Sequence, residues 1–381
     1  MKNMSTQDQF DITKRDSQST PVDPVSIDEF DYEAYHAYEK STMEFCRDFQ
    51  QKDAGVAVYR RMRVAQVFSD DCADMKRSLE WQLGGLWKSM EYRMDIPNFL
   101  EPWYGIGPTA SAFGQEYIWK ENQAPAIRPA FQDTGSALHY PNIKPIRETD
   151  IGRHTLRMVE YFKEQTRGLL PLSLCDVQSP LNVAGNMIEI NGFLMDTMIN
   201  PEVVGAFLEL LAGLIADFTA EQLKILGDQV VWPGHGFPSS RVFTGFGSSD
   251  DNIMLITPEA YRDQAIPSLI KMTEALQEPV FHSCGNWSER ADVVKQIPGL
   301  SMVDGDFTHQ TDHDPNPPEA IRDAFMGTGI AVSARMVGDL ESIQSAIRRL
   351  WHPDLKLIAV TYCQDPEEQH RAYDFIHHHC V

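Results

Sequence analysis

Phe281-His282-Ser283-Cys284-Gly285 carries the densest chemistry in the chain of 381 residues. Residues two apart on an extended strand point to the same side, so the His282 imidazole and the Cys284 thiol can converge on one point. A glycine and then a helix-like segment follow, which places the pair at a strand end. Cys363 ends a second apolar run, Leu357-Ile358-Ala359-Val360-Thr361-Tyr362-Cys363. If both runs are parallel barrel strands, their ends share one face, where barrel active sites form. Imidazole plus two thiolates is a zinc ligand set, and three protein ligands leave a fourth position for a reactant. A structural zinc site would more often close with a further Cys or His nearby, and none stands at short spacing. The competing reading is that both cysteines are buried as small apolar residues.

Further candidates fall at strand ends or in the loops beyond them. Asp176 and Gln178 alternate as pocket residues do, and Asp250 and Asp251 are placed similarly. His235, in Pro233-Gly234-His235-Gly236-Phe237, follows another strand and faces either a substrate or a turn. Asp304 stands just before Gly305-Asp306-Phe307-Thr308-His309-Gln310-Thr311-Asp312-His313-Asp314. It offers a carboxylate to a metal, an acid–base group or a structural cap, whereas the loop itself reads as solvated and acidic. Arg335 has the fork geometry that suits a carboxylate, sulfonate or phosphate, with an ion pair as its rival role. His377-His378-His379-Cys380 looks like a metal tract, but it ends a helix where imidazoles are comfortable; it reads as structural.

These groups need a scaffold. Short apolar runs predict strands at Leu169–Leu174, Gln229–Trp232, Val242–Phe246, Pro279–Cys284, Leu300–Val303, Ile330–Ala334 and Leu355–Tyr362. Helices are expected at Asp150–Thr166, Pro201–Gly227, Pro258–Gln277, Ser288–Gln296, Pro318–Phe325, Leu340–Leu350 and Pro366–His378. Such alternation implies right-handed crossovers and a parallel sheet. No Gly-x-Gly-x-x-Gly turn follows a strand and no phosphate loop is present, so a (β/α)8 barrel is favoured over an open doubly wound sheet. Met1 to about Asp28 reads as a flexible tail. Residues 29–381 read as a single barrel domain, in which 29–95 form an amphipathic helical extension.

The 55 acidic and 33 basic residues give a formal charge of −22. That balance argues against a partner nucleic acid or an anionic membrane bound by charge. Six cysteines without a pairing pattern suit a reducing compartment. The amino terminus lacks a secretory apolar core. The apolar stretch Val203–Phe218 is interrupted by Glu209 and is shorter than the roughly 20 residues of a membrane span. A cytoplasmic protein is expected.

With His282-x-Cys284-Gly285 and a third ligand, Cys363, downstream, the sequence resembles the uroporphyrinogen decarboxylase superfamily. Within it, the sequence resembles the zinc-dependent branch of methylcobamide:coenzyme M methyltransferases and related corrinoid-dependent enzymes. Supporting matches are Ser111-Ala112-Phe113-Gly114-Gln115-Glu116, Asp176-Val177-Gln178-Ser179-Pro180, Asp250-Asp251-Asn252 and Thr257-Pro258-Glu259-Ala260-Tyr261, and the likeness runs over roughly residues 90 to 381. The resemblance implies Zn2+ on His282, Cys284 and Cys363, which would also be the catalytic residues. Asp176, Gln178, His235, Asp251, Asp304 and Arg335 would be the substrate-binding candidates. It further implies a methylcobalamin-type corrinoid, carried on a corrinoid protein or used as substrate, and a small-molecule methyl acceptor such as coenzyme M, homocysteine, another thiol or tetrahydrofolate. A homodimer is compatible with it. The decarboxylases carry an Arg-Gln-Ala-Gly-Arg segment that Tyr59-Arg60-Arg61-Met62-Arg63 does not match. A decarboxylase of a tetrapyrrole or other carboxylate, and a non-catalytic corrinoid-protein-binding protein, are the two rival functions.

Overall fold

Parallel barrel strands are covered on both faces, and the six regular strands of the computed structural model are buried along nearly all of their length, polar residues included. The structure describes residues 18–381. The strands are β1 (Gly55–Arg60), β2 (Phe246–Ser249), β3 (Pro279–His282), β4 (Met302–Asp306), β5 (Ala331–Met336) and β6 (Lys356–Thr361). They are parallel, in the order β1-β6-β5-β4-β3-β2. Two irregular staves close the ring. Residues 95–100 join β1 through Asp95 N–H to Val58 O at 2.9 Å, and join the next stave through Leu100 N–H to Pro171 O at 3.0 Å. Residues 172–178 reach β2 through Ser249 N–H to Val177 O at 3.1 Å. Eight staves with intervening helices make a (β/α)8 barrel.

Period-2 alternation sorts each strand into two layers. Ala57, Tyr59, Val280, Met302, Ala331, Ile358, Val360 and Tyr362 form the inner core, together with Phe237. Val58, Phe281, Val303, Val332, Ala334, Leu357, Ala359 and Cys363 belong to the layer between strands and helices. Phe237 fills the inner space so closely that a Cβ on Gly247 would lie 2.3 Å from its ring.

The helices outside the barrel follow their sequence signals. Pro318–Phe325 and Leu340–Leu350 occupy the expected spans, the latter capped by the Asp339 side chain. Pro258–Gln277 is instead broken. A wide turn of π type over Tyr261–Ala265 separates Pro258–Ala260 from Ile266–Thr273 and accommodates Pro267, which has no N–H to donate. The helix Pro201–Leu226 is long and apolar enough to cross a membrane by length and composition. It packs against Asp150–Gln165, Pro180–Met187 and Ile266–Thr273, as a core helix does.

Three expectations need correction. The helical extension at 29–95 contains β1 and the first barrel helix, Met75–Ser89, so it belongs to the barrel. The run Gly55-Val56-Ala57-Val58-Tyr59-Arg60 is too short to show a period, and its β-branched residues were the only strand signal. The strand expected at Val242–Phe246 lies at Phe246–Ser249, with Gly245 in the left-handed region just before it. Residues 18–28 of the expected tail are laid on the barrel. Thr20 is buried, its N–H meets Arg63 O at 2.8 Å, and Val25 N–H meets Glu80 O at 2.9 Å. Backbone hydrogen bonds fix this polar segment, so composition gave no sign of it. The remainder of the tail lies outside the described residues.

Candidate active site at the barrel mouth

Asp251, His282 and Cys284 meet where β2 and β3 end. One ligand atom from each lies within 4.8 Å of the others. His282 Nε2 is 3.4 Å from Cys284 Sγ and 4.0 Å from Asp251 Oδ1. Alternation along β3 does this: Val280, His282 and Cys284 face inward while Phe281 packs outward. Gly285 then turns the chain with φ +67°. Cys284 is the one exposed cysteine among the described residues.

Each of the three is held from behind. His282 Nδ1 is 2.7 Å from Asp304 Oδ1, which directs Nε2 toward Cys284 and Asp251. Arg335 reaches the same Asp304 oxygen at 2.7 Å, and Ser333 donates to Oδ2 at 2.5 Å. The β-ladder sets this up, because His282 pairs with Asp304 and Asp304 with Ser333. Asp251 accepts from Cys284 N–H at 2.8 Å and from Asn182 Nδ2 at 2.9 Å. Burial opposes the Asp304 charge, but Arg335 and His282 hold its carboxyl below the usual range. The same opposition at Asp251 is overcome by His282 and by the Cys284 N–H. Burial and Arg335 disfavour an imidazolium at His282, whereas Cys284 and Asp304 outweigh them and hold it well above its ordinary value. A donor set of imidazole, thiol and carboxylate, with a carboxylate behind the imidazole, fits a zinc ion.

The expected third ligand, Cys363, is not brought to this group. It has the parity of Ala359 and Thr361, which point toward the helices, whereas Ile358, Val360 and Tyr362 point inward. Its sulfur is buried in the strand–helix layer, and burial with Glu368 nearby pushes the thiol up to about 12. Its carbonyl accepts from Arg60 Nε at 2.8 Å, which ties β1 to the end of β6. Asp251 stands in its place beside His282 and Cys284. The one-residue difference in parity is invisible in a run that is buried throughout and has no polar/apolar alternation.

The remaining candidates form a polar ring around the mouth. Asn182 also bonds Gln178 at 3.0 Å, and Gln178 bonds Asp176 at 3.0 Å. His235 lies between Asp176, at 3.4 Å, and Glu101, at 3.2 Å. Burial lowers the His235 pKa despite those two carboxylates. Glu101 continues to Arg61 at 3.3 Å, and Arg61 and Arg335 both donate to Gly236 O, at 3.1 and 3.2 Å. Arg335 then closes the ring through Asp304. Asp250, also a candidate, is taken up by Ser179 at 2.5 Å and Tyr261 at 2.7 Å and anchors the loop. Sequence reasoning did not assign roles to Arg61, Glu101, Asn182 or Tyr362. Arg61 and Glu101 do follow directly on barrel staves, which is the signal that would have found them.

Asp306, two residues beyond Asp304 on the same face of β4, has a buried Oδ1 with no hydrogen-bond partner. Burial raises its pKa from 3.8 to about 6. A carboxyl with a raised native pKa favours folding fully below the unfolded value, and that contribution is lost as pH rises through the native one. Asp306→Asn is therefore expected to stabilise the protein at neutral pH by up to about 3 kcal/mol. The gain should shrink toward zero as pH falls to 4. Urea titrations at several pH values check this, and a gain independent of pH would contradict it.

Residues 103–353 match the uroporphyrinogen decarboxylase (URO-D) family. No match is found among curated proteins. Among solved structures, a methyltransferase from Methanosarcina mazei superposes with a TM-score of 0.62 at 12% sequence identity, over 89% of this chain and 98% of its own. At that identity the likeness bears on the fold, and it agrees with the closed barrel. The family match spans well over half of the sequence, and the chain belongs to the uroporphyrinogen decarboxylase (URO-D) family.

Proposed function

We propose that the protein is a zinc-dependent methyltransferase that moves a methyl group from a methylated corrinoid to a thiol or similar small acceptor. The observation that carries this reading is the convergence of Asp251, His282 and Cys284 within 4.8 Å at the barrel mouth. Zinc on these three residues would supply Lewis acidity that favours the thiolate form of an acceptor thiol. The corrinoid is brought by a separate corrinoid protein docked on the mouth. A methylated corrinoid would serve as the second substrate, giving its methyl group to the acceptor thiolate and leaving with the Co–C electron pair in the cob(I) form.

The chain's own residues prepare that transfer. Asp304 fixes the ring of His282 by the 2.7 Å bond to Nδ1, and Arg335 and Ser333 fix Asp304. Asn182 and the Cys284 N–H hold Asp251 in one orientation. Phe237 packs edge-on to the His282 ring at 6.3 Å. Such support typically changes metal affinity or activity 10–100-fold when removed.

Incubation of the zinc-loaded protein with methylcobalamin and a panel of thiols plus tetrahydrofolate tests the reading. The appearance of cob(I)alamin with a thiol is the expected result, read by absorbance. Activity with tetrahydrofolate alone would keep methyl transfer and discard thiol activation. No demethylation with any acceptor, together with carbon dioxide release from a tetrapyrrole carboxylate, would establish the decarboxylase instead.

A further inference from the structure

Two buried polar groups on the inner wall have no partner: the Asp306 carboxylate oxygen Oδ1 and the Tyr362 hydroxyl. Each residue is only 3% exposed. Buried polar atoms are nearly always hydrogen-bonded, so two such exceptions flanking one arginine require a reason. They stand on β4 and at the end of β6, on one wall with β5 between them. Asp306 pairs with Arg335 across β4 and β5, and Arg335 with Val360 across β5 and β6, with Tyr362 the next inward residue. Arg335 thus lies between the two unpartnered groups.

Each arginine has one carboxylate partner, Glu101 for Arg61 and Asp304 for Arg335, and both share a further, weaker acceptor. Arg61 and Arg335 donate to the same neutral carbonyl, Gly236 O, at 3.1 and 3.2 Å. That carbonyl sits on a turn whose Gly234 and Gly236 have φ of +115° and +83°, conformations that glycine adopts without strain. A carboxylate is a stronger acceptor for a guanidinium than a neutral carbonyl. Burial raises the Tyr362 hydroxyl, and among the charges around it Arg61 and Arg335 act most strongly, ahead of Asp304 and Asp306. An acceptor oxygen placed there would meet two guanidiniums and a phenol. Asp306 asks for the opposite: a carboxylate without a donor is satisfied by an ammonium group.

We infer that Asp306, Tyr362, Arg61 and Arg335 form a subsite for an α-amino acid head group, the ammonium on Asp306 and the carboxylate on Tyr362 and the two arginines in place of Gly236 O. The inference rests on the methyltransferase reading and names its acceptor class, an amino-acid thiol. Arg335 is one hydrogen bond from Asp304, and Asp304 one from His282, so the head group and the Cys284–His282–Asp251 group are close neighbours. The thiol reaches that group from the subsite through a short side chain.

Four matched thiols test this by calorimetry on the zinc-loaded protein: homocysteine, 4-mercaptobutyrate, 3-aminopropane-1-thiol and propane-1-thiol. Sulfur-free 2-aminobutyrate is the fifth ligand. Homocysteine is expected to bind at least tenfold more tightly than each of the other three thiols. Asp306→Asn should lower homocysteine affinity to that of 4-mercaptobutyrate and leave the latter unchanged. Tyr362→Phe should weaken homocysteine and 4-mercaptobutyrate but not 3-aminopropane-1-thiol. Thiols that all bind equally, or variants that weaken all four alike, would overturn the subsite while leaving the methyltransferase reading intact. Binding of 2-aminobutyrate as tight as that of homocysteine, lost in both variants, would support the subsite and remove thiol activation. Failure of all five to bind would overturn the subsite.

Discussion

Cys284→Ala is expected to cut methyl transfer by about a thousandfold or more while leaving the barrel folded. The two halves of that expectation have different physical origins. Lewis acidity at a reacting centre contributes several kcal/mol to the barrier, and each 1.36 kcal/mol is about tenfold in rate. Removing one of three donors takes most of that contribution away. Stability is spared because Cys284 is exposed and its side chain packs into no core layer. The measurement is the initial rate of cob(I)alamin formation, with far-UV circular dichroism to confirm the fold. A variant that retains a tenth of the wild-type rate would mean that the thiol is not part of the reacting centre.

Asp304→Ala should produce the largest loss of stability at the mouth, about 3–5 kcal/mol. Asp304 is fully buried, and Arg335 is only 9% exposed. Without Asp304, a buried guanidinium keeps one neutral carbonyl as its hydrogen-bonded acceptor and loses its strongest counter-charge. The His282 ring also loses the bond that orients it, so zinc affinity should fall 10–100-fold in the same variant. Adding Arg335→Met should restore much of the stability and none of the zinc affinity, because it removes the unpaired charge and not the fault behind His282. Denaturant titrations of the two variants and of the wild type check this. A loss below about 1 kcal/mol in Asp304→Ala would show that the ion pair is dispensable.

The barrel and two of the three residues of the proposed metal group are readable from the sequence because they rest on local signals. His282-x-Cys284 needs only strand alternation, and β3, β4, β5 and β6 are bounded runs between helices. Cys363 shows where that kind of reading stops. In Leu357-Ile358-Ala359-Val360-Thr361-Tyr362-Cys363 every residue is buried, so the run does not say which set faces inward. The tertiary structure chooses Ile358, Val360 and Tyr362, and Cys363 goes to the other side. Asp251 was legible as a pocket residue, but its meeting with His282 depends on β2 and β3 being neighbours, which is long-range information. β1 and the staves at 95–100 and 172–178 were missed or blurred for a different reason. β1 is a regular strand with a continuous ladder to β6, but it is short and lies between helical segments; the other two are irregular and paired by isolated hydrogen bonds. The polar ring from Asn182 to Arg335 draws residues from six stretches of chain, and no pairwise spacing announces it.

Elemental analysis of extensively dialysed, untagged protein tests the central claim most directly, that Asp251, His282 and Cys284 hold the metal. The wild type should retain about one zinc per chain. Asp251→Ala and Cys284→Ala should each lose most of it, and Cys363→Ser should keep it, since that sulfur packs between strand and helices. Zinc lost in Cys363→Ser and kept in Asp251→Ala would contradict the account, as would stoichiometric zinc in an Asp251→Ala, Cys284→Ala double variant.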